Sequence, residues 1–285
     1  MIAPLQKDEV LLADIMSADP DPDDFCLWWL GQSGFLFKCN GAYTVIDPYL
    51  SDSLTSKYES SRTPHVRMTG RCLDPRKLGF VDLAITTHGH TDHFDAETLR
   101  AIAAAPNRTT PLSLIFPAAI RARGEALLEG SSANLIPVDA GHSVALPGIT
   151  VSALSAAHPT LDQDPSGHHL FLGYVLKLGR WTVYHSGDTI WHEGVVARAV
   201  AAKPDIALLP INGHAPERGV AGNLDGTEAA CFAKLLGVTM AIPHHFEMFE
   251  FNTAPPDAFD SACRQARVTC KVLRCGERWT ATMAS

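Results

Sequence analysis

The sequence predicts an α/β protein in which two sheets, each fed by helices, pack against one another. Three observations carry this expectation. Short apolar runs of the buried-strand kind recur at VDLAITT (81–87), LSLIF (112–116) and IALLPI (206–211). Helical stretches follow them on a repeating strand–helix rhythm. That rhythm occurs twice, in halves of comparable length.

Taken in order, CLWWL (26–30) and FLFKC (35–39) read as strands joined by the turn Gly31–Gly34, with YTVIDPYL (43–50) as a third run. Together they predict an opening antiparallel meander. A loop of about thirty residues follows, long enough to suggest function. After the strand at 81–87 comes a helix with Asp95 as N-cap and Phe94, Leu99 and Ile102 on its apolar face. LSLIF and a helix over AAIRARGEALLE (118–129) complete the first half. The second half predicts strands near 135–138, 149–154, 170–178 and 181–185, a helix near 193–202 and the strand at 206–211. A helix at 226–236 and a strand at 238–242 close it. No linker stands out, so residues 1–285 read as one domain.

Composition narrows the function. Apolar residues make up 46% of the 285, enough for a substantial core. The 23 basic and 31 acidic groups give a net charge of −8. An acidic chain suits neither non-specific nucleic-acid binding nor an anionic membrane. The local exception is the long loop, where Lys57, Arg62, Arg67, Arg71, Arg76 and Lys77 face only Glu59 and Asp74. Seven scattered cysteines without a C-x-x-C spacing argue against disulfides and thiolate zinc sites, and for reduced thiols packed as small apolar groups. With no signal-peptide layout at the first residues and no membrane-length apolar run, the expectation is a cytoplasmic protein.

The sharpest signal is THGHTDHFD (87–95). It sets His88, His90, Asp92 and His93 at the carboxyl end of a buried strand, where open α/β sheets bind ligands. His88 and His90, two apart, can aim to one side of an extended turn, while Asp92 and His93 open the next helix and face a second point. Imidazoles and a carboxylate without thiolates suit Zn²⁺, Mn²⁺ or Fe²⁺. His158, after ITVSAL, and Asp188, after WTVYH and a Ser-Gly turn, also lie just beyond strand ends. AIPHHFEMF (241–249) adds His244 and His245, which an extended backbone points to opposite sides.

The H-x-H-x-D-H run resembles the signature of the metallo-β-lactamase superfamily. The order of WLGQSGFLFKCNGAYTVIDPYLSD (29–52), YHSGDT (184–189), ALLPINGH (207–214), Gly222-Asn223 and IPHHFEMFEFNT (242–253) resembles the branch of L-ascorbate-6-phosphate lactonases and related metal-dependent hydrolases. The resemblance spans roughly residues 26–253. It implies a four-layer αβ/βα sandwich with the metal site along one edge of the facing sheets. It further implies one metal on His88, His90 and His158, a second on Asp92, His93 and His245, and Asp188 bridging them. His245 rather than His244 takes the ligand position, with His244 beside the pocket or on a neighbouring surface. Two features depart from the lactonase pattern. His158 completes a two-metal site where that lactonase has no histidine, and residues 212–214 read Asn-Gly-His where relatives read Asn-Gly-Arg.

Two divalent ions, Zn²⁺ or Mn²⁺ ahead of Fe²⁺, about 3.5–4 Å apart would create a bridging hydroxide and polarise the bond under attack. Asp92 and Asp188 are the candidate catalytic carboxylates. Asp47, at the end of VID, is expected to orient a ligand histidine. His169, His214 and His185 near the rim are candidates for protonating the leaving group. Arg67 and Arg71, in the basic loop, are candidates for drawing an anionic small molecule. The predicted reaction is hydrolysis of a small lactone or ester, phosphorylated or not. The alternatives are a phosphodiesterase or nuclease on the same site and a non-catalytic metal-binding scaffold. A diiron oxidoreductase of this superfamily would carry glutamate in place of His90. Neither nucleic acid nor membrane is an expected partner, and a homo-oligomer remains open.

Overall fold

The computed structural model describes residues 1–282. Two mixed sheets face each other, with helices on their outer sides. The first contains β1 (Phe25–Gly31), β2 (Gly34–Cys39), β3 (Ala42–Ile46), β4 (Leu83–Ile85), β5 (Ser113–Pro117) and β6 (Asn134–Val138). The second contains β7 (Ser143–Leu146), β8 (Ile149–Ser155), β9 (Leu172–Leu178), β10 (Trp181–His185), β11 (Ile206–Pro210) and β12 (Met240–His244). A final strand, β13 (Arg278–Ala281), returns to the first sheet, giving the order β13-β1-β2-β3-β4-β5-β6. The second sheet runs β12-β11-β10-β9-β8-β7.

Each sheet has an antiparallel portion followed by a parallel one: β1–β3 then β3–β6, and β7–β10 then β10–β12. The predicted doubling and the four-layer sandwich therefore describe this chain. Strand β1 is buried along its whole length, which is why FCLWWLG shows no polar alternation. Between the sheets Phe25 meets Trp181 at 6.5 Å and Phe35 meets His185 at 5.8 Å, ring centre to ring centre. Each fully buried aromatic or aliphatic side chain there contributes about 1.5–3 kcal/mol of burial energy.

Seven helices complete the described residues: α1 (Asp8–Ser17), α2 (Ser53–Lys57), α3 (Ala96–Ala103), α4 (Arg121–Leu127), α5 (Glu193–Ala201), α6 (Gly226–Leu236) and α7 (Asp257–Ala266). Asp95 caps α3 as predicted, accepting from the Glu97 N–H, and buries Leu99 and Ile102 beneath the helix. Helix α6 opens on a capping box between Asp225 and Glu228. No helix among the described residues is long and apolar enough to cross a membrane. The sequence reading missed β7, β13, α1, α7 and the short α2, which lies inside the stretch read as a long loop. Strands β7 and β13 are four residues long and largely exposed or half-buried, and α1 buries only Leu11 and Ile15. Their apolar residues are mostly exposed or half-buried, unlike the fully buried runs that marked the central strands.

Candidate metal centre

Strand β4 delivers four of the predicted residues through one turn. The His90 carbonyl accepts from the N–H groups of His93 (3.1 Å) and Phe94 (2.7 Å), curling 88–93 into a compact loop. Helix α3 starts at Ala96, so Asp92 and His93 lie in the turn before it, not in its first turn as the sequence suggested. The Asp95 cap sets that start. Asp47, fully buried after β3, accepts from the Thr87 N–H (2.7 Å) and hydroxyl (2.6 Å), and its Oδ2 lies 2.7 Å from His93 Nδ1. It thus fixes the His93 ring with Nε2 turned away from the carboxylate.

The second sheet delivers three residues from three separate strand ends. His158 follows β8, and its Nδ1 donates to the Gly222 carbonyl at 2.9 Å. Asp188 follows β10 through Ser186-Gly187. Gly187 has φ +61°, and a Cβ there would sit 2.5 Å from the Leu172 carbonyl, so only glycine fits this turn. The His185 Nδ1 accepts the Gly187 N–H (3.1 Å) and its Nε2 donates to the Ser33 carbonyl (3.0 Å), so His185 orients the turn that carries Asp188. His245 follows β12 with φ +62°, and its N–H donates to the Gln32 carbonyl at 3.0 Å.

These seven side chains converge. Ligand atoms of His88, His90 and His158 lie within 4.8 Å of one another, as do those of His88, His93 and Asp188, and those of Asp92, His93 and His245. Asp188 is central: its Oδ1 is 3.4 Å from His93 Nε2, and its Oδ2 is 3.2 Å from His245 Nε2 and 3.7 Å from His158 Nε2. Nε2 of His88, Nε2 of His93 and Oδ1 of Asp188 are buried without a hydrogen-bond partner among the described residues, a costly arrangement that suits a shared cation. Electrostatics agree. Burial, with His93 and His90 nearby, pushes the His88 pKa well down, and burial pushes His158 down to about 4, leaving neutral rings with lone pairs to offer. Burial opposes charge on His93, yet Asp188, Asp47 and Asp92 together raise its pKa well above the ordinary histidine value. Burial likewise disfavours the Asp188 carboxylate, but His245 and His93 hold its pKa well below the usual range. Nitrogen and carboxylate donors without thiolates fit a hard or borderline divalent ion. The cluster can therefore bind metal.

His244 corrects the reading of the paired histidines. It is neither beside the pocket nor on a surface: it is fully buried between the sheets. Its ring stacks on His185 at 4.7 Å and 15°, and its Nδ1 lies 3.1 Å from the Ser33 hydroxyl. A turn of left-handed backbone at His245 separates the two roles.

The cluster forms the floor of a cleft of about 480 Å³, reached by His90, Asp92, His158, Asp188 and His245. The long loop does form one wall, but through Leu54, Lys57, Tyr58 and His65. Arg67 and Arg71, named from the sequence, do not line it. The Arg67 guanidinium is buried over the Tyr49 ring (4.8 Å) and paired with Asp52 at 2.9 Å, and Arg71 lies 3.5 Å from the same carboxylate. Asp52 consumes both. His169 is likewise bound to Asp139 (3.0 Å) outside the cleft lining. His214 packs against Gly222, behind the anchor of His158. The loop 213–226 contributes Val220 and Ala221 as wall, and Asn223, Asn212 and Asn252 form a hydrogen-bonded chain that ends in the cleft.

The residues that sequence reading missed are Tyr58, His65, Arg123, Phe249 and Asn252 in the cleft walls, and Gln32 beneath them; Lys57 was named as part of the basic loop but not singled out as a substrate contact. Arg123 of α4 donates to the Gly89 carbonyl (2.9 Å) and sits 5.3 Å over the Phe94 ring, fixed beside the histidine turn. A lone arginine thirty-four residues from Gly89 gave no signal. Phe171, packed 5.2 Å from the rings of His88 and His158, was equally silent.

Residues 44–246 match the family model of the beta-lactamase superfamily domain. The chain is 29% identical over 253 residues to a UPF0173 metal-dependent hydrolase of Myxococcus xanthus, covering 86% of this chain and 78% of that one. It is 30% identical over 241 residues to a UPF0173 metal-dependent hydrolase of Methanosphaerula palustris, covering 83% and 90%. Among solved structures, Igni18, a metallo hydrolase from the archaeon Ignicoccus hospitalis, superposes with a TM-score of 0.65 at 22% identity, over 92% of this chain and 100% of that one. At that identity the likeness speaks for the fold. The family match, the level of identity and the shared fold agree: the chain belongs to the beta-lactamase superfamily and, within it, to the UPF0173 metal-dependent hydrolases.

Proposed function

We propose that this chain hydrolyses a small anionic ester or lactone, using two divalent ions, Zn²⁺ or Mn²⁺, held by the histidine–aspartate cluster. The observation that carries this reading is a cleft of small-molecule size whose floor is the cluster and whose walls carry two cations, Lys57 and Arg123. Its relatives' description as metal-dependent hydrolases supports the reaction class.

His88, His90 and His158 would hold one ion, Asp92, His93 and His245 the other, and Asp188 would reach both. Ions bound there supply Lewis acidity and a water of lowered pKa. The chain's own residues do the rest. Asp188, kept ionised, accepts a hydrogen bond from an attacking water and aligns it. Arg123, immobilised by Gly89 and Phe94, and Lys57, above the Tyr58 ring at 5.1 Å, orient the negative group of the substrate. Tyr58, His65 and Phe249 offer an aromatic face to its apolar part: the His65 ring stacks on Tyr58 at 4.3 Å and meets Phe249 at 5.1 Å. Burial lowers the His65 pKa, keeping that ring neutral and suited to packing.

A hydrolysis panel tests this reading, pairing anionic and neutral members of lactones, carboxylic esters, thioesters and phosphodiesters. The expected result is metal-dependent turnover of an anionic lactone or ester, with KM raised about three- to tenfold by Arg123→Gln for the anionic member only. Preference for phosphodiesters would move the assignment to that reaction, and no turnover of any class would remove it.

A further inference from the structure

We propose that Gln32 is a positioning residue of the metal centre, holding the Asp92–His245 side of the cluster in place through its side-chain amide. The inference rests on the reading of that cluster as a divalent-metal site. Gln32 lies in the turn between β1 and β2, fully buried, with φ +51°. A glycine or asparagine would occupy that left-handed backbone more easily than a long side chain. The turn keeps its conformation because the Gln32 carbonyl accepts from both the Trp29 indole N–H (2.9 Å) and the His245 N–H (3.0 Å). Strained backbone held by such partners is characteristic of functional positions.

The side chain runs into the cluster. Its Nε2 donates to Asp92 Oδ2 at 2.8 Å and lies 3.2 Å from His245 Nε2, while Oε1 is buried without a partner among the described residues. Asp92 approaches His93 and His245 only at 3.7 and 3.8 Å, so among the described residues Gln32 is its one hydrogen-bond donor. Without that donor the Asp92 carboxylate, partly open to the cleft, would be free to rotate. With it, one lone pair is used and the carboxylate plane is fixed. The Gln32 carbonyl sets the His245 backbone at the same time. One residue thus joins two of the three side chains at this point to the first sheet. The neighbouring Ser33 serves the other histidines, with its hydroxyl at His244 and its carbonyl at His185.

The test is calorimetric titration of chelator-stripped protein with Zn²⁺, on the wild type, Gln32→Asn, Gln32→Met and His245→Ala. Asparagine keeps a residue that tolerates the left-handed turn but shortens the amide by one methylene. Methionine keeps the length and removes the donor. The expected result is two binding steps in the wild type, of which both Gln32 variants weaken one by about 10–100-fold. The weakened step should be the one that His245→Ala abolishes, and stripped Gln32→Asn should melt at or above the wild-type temperature. Wild-type affinity for both ions in both variants would overturn the proposal. So would loss of the fold in both stripped variants, which would make Gln32 structural. A wild type that takes up no ion would overturn this proposal and the reading of the cluster together.

Discussion

The two sheets supply the cluster in different ways. The first gives four residues from one turn, 88–93, closed by its own backbone hydrogen bonds and braced by the single carboxylate of Asp47. The second gives His158, Asp188 and His245 one at a time, from the ends of β8, β10 and β12. Each needs its own anchor: the Gly222 carbonyl, the His185–Gly187 turn and the Gln32 carbonyl. One side is a local motif that folds as a unit. The other is assembled by the sandwich, and its geometry depends on residues distant in sequence. Left-handed residues sit at the joins between the two, at Gln32, Asp47, Gly187 and His245.

The largest expected effect comes from removing one of the singly supplied residues. His245→Ala should lose one metal equivalent and lower kcat/KM on the order of 10²–10³-fold, the scale of losing a principal electrostatic group. Metal analysis with steady-state kinetics checks both. Asp47→Asn attacks the brace of the local motif, and should weaken metal binding about 10–100-fold, leaving the fold intact by circular dichroism. An effect of Asp47→Asn confined to stability would show that the turn braces itself.

His244→Ala makes the comparison at a single sequence position away. It should retain both metals and most activity while losing about 2–4 kcal/mol of stability, because a buried stacked ring leaves a cavity and the Ser33 hydroxyl loses its partner. Denaturant unfolding measures the first, metal content the second. Equal metal loss in His244→Ala and His245→Ala would mean that both histidines serve the centre. The smallest effect is expected from Arg67→Met combined with Arg71→Gln. KM for an anionic substrate should stay unchanged, since Asp52 holds both arginines outside the cleft, and a rise in KM would return them to the site.

What was legible in the sequence follows the same division. The turn 88–93 announces itself because four ligand-type residues stand together after an apolar strand. His158, Asp188 and His245 each stand alone, and family resemblance rather than spacing picked them out. Period-two alternation separated His244 from His245 but could not tell a buried stacked ring from an exposed one. That depended on His185, arriving from a different strand. The basic loop was rightly expected to overhang the site, yet charge along a chain carries no direction. Lys57 faces the cleft, while Arg67 turns under it to Asp52 and Tyr49. Arg123 was invisible because its role exists only where α4 packs beside Gly89. In the fold, the continuous buried apolar strands were readable, and the short, part-exposed β7 and β13 were not.

Whether the histidine–aspartate cluster is a working metal centre is measured most directly by the metal content of the purified protein, followed by hydrolysis assays before chelation, after chelation and after metal is returned. Two divalent ions per chain are expected, with activity lost on their removal and restored on their return. Less than one bound ion per chain, with no activity restored by metal, would contradict that expectation.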